Sequence, residues 1–283
     1  MDSLSSPQIP VLVAGALGRM GNEVIRAIVK SNKCKLIGAI DTSPENQGAD
    51  VGEILGLGNL NISITSDLEG SLCNASQMLK ELEKPNTPVL VDFTHPSVVY
   101  QHTRASIAYG VNPVIGTTGL SIDQLKELDE FSRKASVGSA VIPNFSIGMV
   151  LLQQAAAAAA SFYDDAELIE LHHNKKADAP SGTCIKTAEL IEEIGKPFNE
   201  SLLEEKNYMD DSRGSVRKSG LRLHSIRLPG LVAHQEVLFG APGETYHLAH
   251  NTIDRSAYMP GVLLAIRKVG KLSGLLYGLE KLL

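Results

Sequence analysis

Apolar positions along this chain follow two rhythms, and their order divides it into two halves. Ile9 to Ala14 is a short Val-rich run that leads straight into Gly15-Ala16-Leu17-Gly18-Arg19-Met20-Gly21. A helical pattern follows, with Val24, Ile25, Ile28 and Val29 on one side, so the opening reads as strand, glycine turn, helix. Leu36 to Ile40 is a second buried-type strand ending in Asp41. Further strand-like runs at Val89 to Phe93, Pro113 to Ile115 and Ser139 to Ile142 alternate with helical segments near Ser97 to Ala108 and Ser121 to Lys134. That alternation predicts an α/β fold, a Rossmann-type doubly wound parallel sheet. Its strands end in polar or glycine-containing turns, at Asp92-Phe93-Thr94-His95-Pro96, Gly116-Thr117-Thr118-Gly119 and Pro143-Asn144-Phe145-Ser146. The carboxyl ends of parallel strands are where such sheets bind ligands.

From Ser146 the rhythm changes. A helix carrying the alanine run Ala155 to Ala160 leads to a mixed apolar and acidic strand at Ala166 to Leu171, and a further helix runs to about Ile194. A polar, charged stretch from Lys196 to Gly220 precedes strand candidates at Leu221 to Leu228, Ala233 to Gly240 and Thr245 to Ala249. This predicts a second, α+β domain with an open mixed sheet. The last segment, Ser256 to Leu283, reads as helical and amphipathic, with Val262, Leu263, Ile266 and Val269 at helical spacing, and is expected to return to the first domain. The expected division is therefore 1–145 plus 256–283 for the dinucleotide-binding domain and 146–255 for the other.

With 283 residues, 43% of them apolar, the chain can build two real cores. A formal charge of −6 argues against nucleic acid or an anionic membrane as partner and favours a small metabolite. Cys34, Cys73 and Cys184 form no Cys-x-x-Cys pair, so a reducing compartment is expected, the cytoplasm or, if a transit peptide was removed, a plastid stroma. No apolar run approaches the roughly 20 residues of a membrane span, and Met1 to Pro7 lacks the features of a signal peptide.

The glycines at 15, 18 and 21 lie between a strand and a helix, and Asp41 stands where an acid binds an adenosine ribose, so the turn predicts dinucleotide binding. Asp41 favours the free 2′-hydroxyl of NAD, whereas Arg19 is placed to pair with a 2′-phosphate. The choice between NADH and NADPH stays open. The densest chemistry is the run Glu170-Leu171-His172-His173-Asn174-Lys175-Lys176-Ala177-Asp178-Ala179-Pro180-Ser181-Gly182-Thr183. Paired imidazoles, ammonium groups and a helix start, whose free N–H groups attract anions, suit an anionic substrate that needs a proton. No further ligands at metal spacing accompany the imidazoles, so no metal is expected.

These motifs resemble the 4-hydroxy-tetrahydrodipicolinate reductase (dihydrodipicolinate reductase) family over nearly the full length. The likeness rests on Gly-x-x-Gly-Arg-Met-Gly at 15–21, Asp92-Phe93-Thr94, Gly116-Thr117-Thr118-Gly119, Asn144-Phe145-Ser146 and, most specific, the run from Glu170 to Thr183. It implies reduction of the heterocycle made from pyruvate and aspartate semialdehyde on the diaminopimelate route to lysine, with NADPH or NADH. It implies His172 and Lys176 as catalytic residues, His172 at the acid/base position and Lys176 as proton donor, with His173, Gly182 and Thr183 as contacts to a small dicarboxylate heterocycle. The cofactor contacts it implies are Gly15, Ala16, Leu17, Gly18, Arg19, Met20, Asp41, Phe93, Thr94, Gly116, Thr117, Thr118, Asn144, Phe145 and Arg255. A homotetramer built by the central domain, and closure about hinges near Ser146 and Arg255, complete the expectation. His95 and Thr42 stand where family members often carry basic residues, which bears on cofactor preference. Another amino-acid-pathway dehydrogenase or a non-catalytic NAD(P)H sensor would share the glycine turn without needing the His-His-Lys run.

Overall fold

A computed structural model describes residues 7–81, 87–200, 203, 206, 208–209 and 212–283. The first six residues and parts of the polar stretch at 196–220 lie outside the described residues. The chain forms two compact units, one running to Phe145 and resuming at Tyr258, the other Ser146–Ala257.

The first unit holds strands β1 (Ile9–Ala14) and β2 (Cys34–Ile40) with helix α1 (Arg19–Lys30) between them. The short α2 (Val51–Ile54) and β3 (Ile64–Thr65), then α3 (Leu68–Glu81), lead to β4 (Val89–Asp92). Next come α4 (Pro96–Ala108), β5 (Asn112–Ile115), α5 (Ile122–Ala135) and β6 (Ser139–Val141). The second unit holds α6 (Ile147–Ala159), β7 (Asp165–His172), α7 (Gly182–Glu192), β8 (Ser215–Val216), β9 (Arg222–Arg227), β10 (Ala233–Ala241) and β11 (Glu244–Thr252). The chain returns to the first unit with α8 (Met259–Val269) and β12 (Leu275–Tyr277).

The seven-stranded sheet of the first unit runs β12-β6-β5-β4-β1-β2-β3 with every pairing parallel. Its order reverses between β1 and β4, the switch point at which open α/β sheets bind ligands. The central strands are buried on both faces, which is why Val11 to Ala14 and Val89 to Val91 are continuous apolar runs rather than alternating ones. On α1, Val24, Ile25 and Ile28 are buried, whereas Val29 is 42% exposed: it lies one step past the apolar stripe.

The C-terminal segment is not the continuous helix its periodicity predicts. Helix α8 buries Val262, Ile266 and Val269 and packs on α1, β5 and β6, then stops at Val269. Gly274 and Gly278 adopt left-handed φ of 107° and 95°, conformations that a helix cannot use. Between them Leu275–Tyr277 extends and pairs with Ser139–Val141.

The second sheet is mixed, in order β11-β10-β7-β9-β8, with β7 and β9 parallel and the other neighbours antiparallel. One face packs on α6 and α7 through a core that includes Leu168, Leu223, Val237, Phe239, Ala156, Ala188 and Ile191. Ala156 and Ala160 are wholly buried, so the alanine run buys close helix packing.

Candidate active site

At the switch point, the glycine turn is built by close approach. Gly15 takes φ of 76°, and a Cβ there would lie 2.6 Å from the Phe93 carbonyl oxygen. A Cβ on Gly21 would overlap the Gly15 carbonyl oxygen, so only glycine lets the first turn of α1 sit on the loop. Gly18 is the N-cap and offers no side-chain cap, which leaves the first-turn N–H groups without an intrahelical acceptor. Asp41, at the end of β2, accepts hydrogen bonds from the N–H groups of Leu17 (2.9 Å) and Ser43 (3.1 Å), tying the two turns together. Arg19 is exposed at the start of α1, and Ala16 is buried beneath the turn. A cradle that any Cβ would fill, open helix N–H groups and a half-buried carboxylate at the second strand fit a dinucleotide.

Next to it, the ends of β4 and β5 are held by one acid that the list of expected site residues omitted. Asp92 is fully buried. Its Oδ1 accepts from the Thr94 N–H (2.9 Å), the Thr94 hydroxyl (2.7 Å) and the Thr117 hydroxyl (2.9 Å), and its Oδ2 pairs with His102 Nδ1 at 2.8 Å. The Phe93 ring fills the space where a Cβ of Gly116 would lie, and it packs at 5.5 Å on Phe145. The structure thus brings together Phe93, Thr94, Gly116, Thr117 and Phe145. Thr118 is exposed on the same turn, and Asn144 is half-buried just before α6.

In the second unit, Leu168, Glu170 and His172 share the inward face of β7, because side chains alternate along a strand. Glu170 is fully buried, yet ionised. Burial alone would raise its pKa; hydrogen bonds from His172, Arg227 and Ser225 outweigh that and hold it at about 2. Arg227 meets it with a two-pronged fork, Nη1 to Oε2 at 2.9 Å and Nη2 to Oε1 at 2.7 Å. His172 Nδ1 bonds the Oε2 as well, and the Ser181 N–H donates to Oε1 at 3.2 Å. Arg227 Nη2 also donates to the Asp178 carbonyl at 2.7 Å. Neither Glu170 nor Arg227 was expected as a site residue. The alternation Glu170-x-His172 was the available signal for the first; the second emerges only from the register, in which β9 places Arg227 opposite His172.

Lys176 Nζ is held by both oxygens of the Asp178 carboxylate, at 2.7 and 2.8 Å. Those bonds keep the Asp178 pKa below the ordinary carboxylate range. Ser181 caps α7 by accepting from the Cys184 N–H, and Gly182 and Thr183 follow in its first turn. A Cβ on Gly182 would meet nothing within 4 Å, so the fold does not require glycine there. His173 Nδ1 is buried without a hydrogen-bond partner among the described residues. Arg255 opens a short 3-10 turn, Arg255–Tyr258, at the end of this unit. Among the described residues no group of His, Cys, Asp and Glu could hold a metal ion, and no helix is long and apolar enough to cross a membrane.

These features match known proteins along the whole chain. The family model for the N-terminus of dihydrodipicolinate reductase matches residues 9–145, and that for its C-terminus matches 148–283. A 4-hydroxy-tetrahydrodipicolinate reductase of Prochlorococcus marinus is 68% identical over 98% of this chain and 99% of its own. One from a Synechococcus species is 70% identical over 97% of this chain and 99% of its own. Among solved structures, a dipicolinate-bound dihydrodipicolinate reductase from Paenisporosarcina sp. TG-14 has a TM-score of 0.83 at 33% identity, covering 98% of this chain and 100% of that one. With its switch-point glycine cradle, its His172, His173 and Lys176 run and this full-length match, the chain belongs to the dihydrodipicolinate reductase family.

Proposed function

We propose that this chain reduces 4-hydroxy-tetrahydrodipicolinate to tetrahydrodipicolinate, with NADH or NADPH, in the diaminopimelate route to lysine. The observation that carries the reading is that the buried Glu170 carboxylate ties His172 to the start of α7, in the same stretch of chain that carries His173 and Lys176. It joins imidazole, ammonium and open helix N–H groups in a single stretch of the substrate domain, 146–255. The crystallised relative binds dipicolinate, a planar ring with two carboxylates, and this grouping suits such a ligand.

The glycine turn from Gly15 to Met20, Asp41, Phe93, Thr94, Gly116 to Thr118, Asn144 and Phe145 would hold the dinucleotide, and Arg255 is a further proposed contact. When bound, the reduced nicotinamide supplies a hydride. Water leaves the 4-hydroxy compound to give an unsaturated cyclic imine. On such a delivery to the ring C4 an electron pair would move onto the ring, and Lys176 would return one proton to it. A positioned acid of this kind is worth about 10²- to 10⁴-fold in rate. His172 orients the ring. The Gly182 and Thr183 N–H groups, the Thr183 hydroxyl and His173 hold a substrate carboxylate at the positive end of α7.

A homotetramer is part of this reading, and the opposite face of the second sheet supports self-association. Ile169, Leu171, Ile226 and Leu238 alternate away from the helical core and are only partly covered, with Ile226 37% exposed. That face would join copies of the chain; a monomeric mass by light scattering counts against it. Three free thiols suit a reducing compartment, the cytoplasm or a plastid stroma.

The reaction is tested by loss of the reduced-nicotinamide absorbance, with substrate generated from pyruvate and aspartate semialdehyde and with NADH and NADPH run separately. Lys176→Ala is expected to lower turnover far more than it weakens NADH binding. Equal losses in both would remove Lys176 from the chemistry. Nucleotide binding with no consumption by the unaltered protein would keep the fold and discard the reaction.

A further inference from the structure

The structure assigns Glu170 and Arg227 a further part in the reaction proposed above, on which this inference rests: they are positioning residues that set the tautomer of His172 and fix the loop carrying Lys176. Neither touches substrate in this role. They act through the groups they hold.

The case starts from the cost of the arrangement. A buried ion pair is a weak source of stability, since well-packed apolar residues of the same volume often serve as well or better. Apart from the one from Ser225, the hydrogen bonds the Glu170 carboxylate accepts lead to parts of the site. Oε2 takes His172 Nδ1, and Oε1 takes the Ser181 N–H that precedes the first turn of α7. The fork from Arg227 balances the charge, and the same guanidinium reaches the Asp178 carbonyl. The side chain of Asp178 holds Lys176. One connected path therefore runs from His172 through Glu170, Arg227 and Asp178 to Lys176, with a branch to the N-cap of α7.

Two consequences follow for the chemistry. A neutral imidazole carries one proton on either ring nitrogen, and a neighbouring group decides which. An ionised Glu170 only accepts, so it holds the proton on Nδ1 and leaves Nε2 as the acceptor nitrogen. Nε2 makes no hydrogen bond among the described residues and His172 retains 14% side-chain exposure, which makes Nε2 the atom open to a ligand. The loop from His173 to Pro180 is irregular apart from a turn, and Arg227 anchors it at Asp178. Without that fork, the partner of Lys176 would be free to drift, and displacements of about 1 Å can cost about 100-fold in rate.

The test uses the full-length enzyme in three forms beside the unaltered one: Glu170→Gln, Arg227→Lys and His172→Ala. Steady-state rates give kcat and KM, fluorescence titration gives the NADH Kd, and long-range ¹H–¹⁵N correlation on ¹⁵N-histidine-labelled protein at mildly alkaline pH gives the tautomer. In the unaltered enzyme His172 is expected as a single Nδ1–H tautomer. Glu170→Gln is expected to lower kcat about 10- to 100-fold with the NADH Kd within about twofold, as supporting carboxylates do elsewhere. Arg227→Lys, which keeps the cation but loses the fork, is expected to lower kcat about tenfold. An Nε2–H or mixed tautomer in the unaltered enzyme overturns the inference. So does a Glu170→Gln enzyme with near-normal kcat where His172→Ala has lost its own. Should Glu170→Gln fail to fold, the tautomer in the unaltered enzyme decides. An unaltered enzyme that binds NADH without consuming it refutes the reaction instead, and the tautomer measurement still tests what Glu170 does to His172.

Discussion

Glu170 makes the acid stability of this protein a quantitative test of its buried network. Its carboxyl is held at about 2, against an ordinary 4.5, because His172, Arg227 and Ser225 favour the charged form more than burial disfavours it. The folded state therefore takes up this proton at a lower pH than the unfolded chain does. That gap is worth about 3 kcal/mol by linkage. The sign follows from the direction of the shift: a lowered acid contributes in full above its unfolded value and loses its contribution as pH falls through the folded one. The loss should spread from about pH 5 to about pH 2. Urea titrations across that range, on the unaltered protein and on Glu170→Gln, give the two curves to compare. The variant is expected to be weaker near neutral pH by about 3–5 kcal/mol, since it leaves Arg227 without its buried counter-charge. Its decline in acid should then be shallower by about 3 kcal/mol. Two parallel curves would refute the reasoning, because they would mean that Glu170 titrates alike in the folded and unfolded chain.

Gly182→Ala separates a ligand requirement from a folding one. With nothing within 4 Å of the added Cβ, stability should hold or rise by up to about 1 kcal/mol, while the KM for substrate rises; an unchanged KM would take Gly182 out of the binding site. Gly21→Ala forces its Cβ onto the Gly15 carbonyl and should lower both the melting temperature, by about 1–3 kcal/mol of stability, and NADH affinity; normal NADH titration would mean that the turn is not the cradle. Native thiol titration should find Cys73 reactive first, because Cys34 and Cys184 are buried and burial, with the Glu170 charge, pushes the Cys184 thiol up to about 12. Fast labelling of Cys184 in folded protein would contradict the packing of α7.

What was legible in the sequence was local. The strand, glycine turn and helix at 9–30, the strand ends at Asp92, Gly116 and Pro143, and the run from Glu170 to Thr183 each lie within one short segment, where periodicity and turn chemistry act directly. The region from Thr42 to Pro88 gave no comparable signal. There a single side chain, Asp50, accepts from the N–H groups of Gly52, Glu53, Leu60 and Ile62 and folds a loop whose strand β3 is only Ile64–Thr65. The C-terminal strand was hidden because Leu275–Tyr277 is too short to show alternation and its partner strand lies far back at Ser139–Val141. Arg227 was hidden for the same reason: it stands 57 positions from Glu170, and only the pairing of β9 with β7 brings them together.

Asp92 and Glu170 answer one physical problem in the same way. A turn at the end of a buried strand exposes N–H and hydroxyl donors that water cannot reach, and each unpaired donor costs about 1–3 kcal/mol. A buried carboxylate is itself costly unless it is saturated with donors. Each requirement meets the other. Asp92 takes the Thr94 and Thr117 groups from two successive strand ends and His102 from α4; Glu170 takes Ser181 from the start of α7, Arg227 from β9 and His172 from its own strand. Because a charge in a dry site is tolerated only with its full set of partners, any movement of one turn leaves the acid undersatisfied and is resisted. An apolar residue at either position would remove that resistance and strand the donors. The segments held this way carry Thr94, Thr117, His172 and Gly182, the residues proposed above to meet cofactor and substrate.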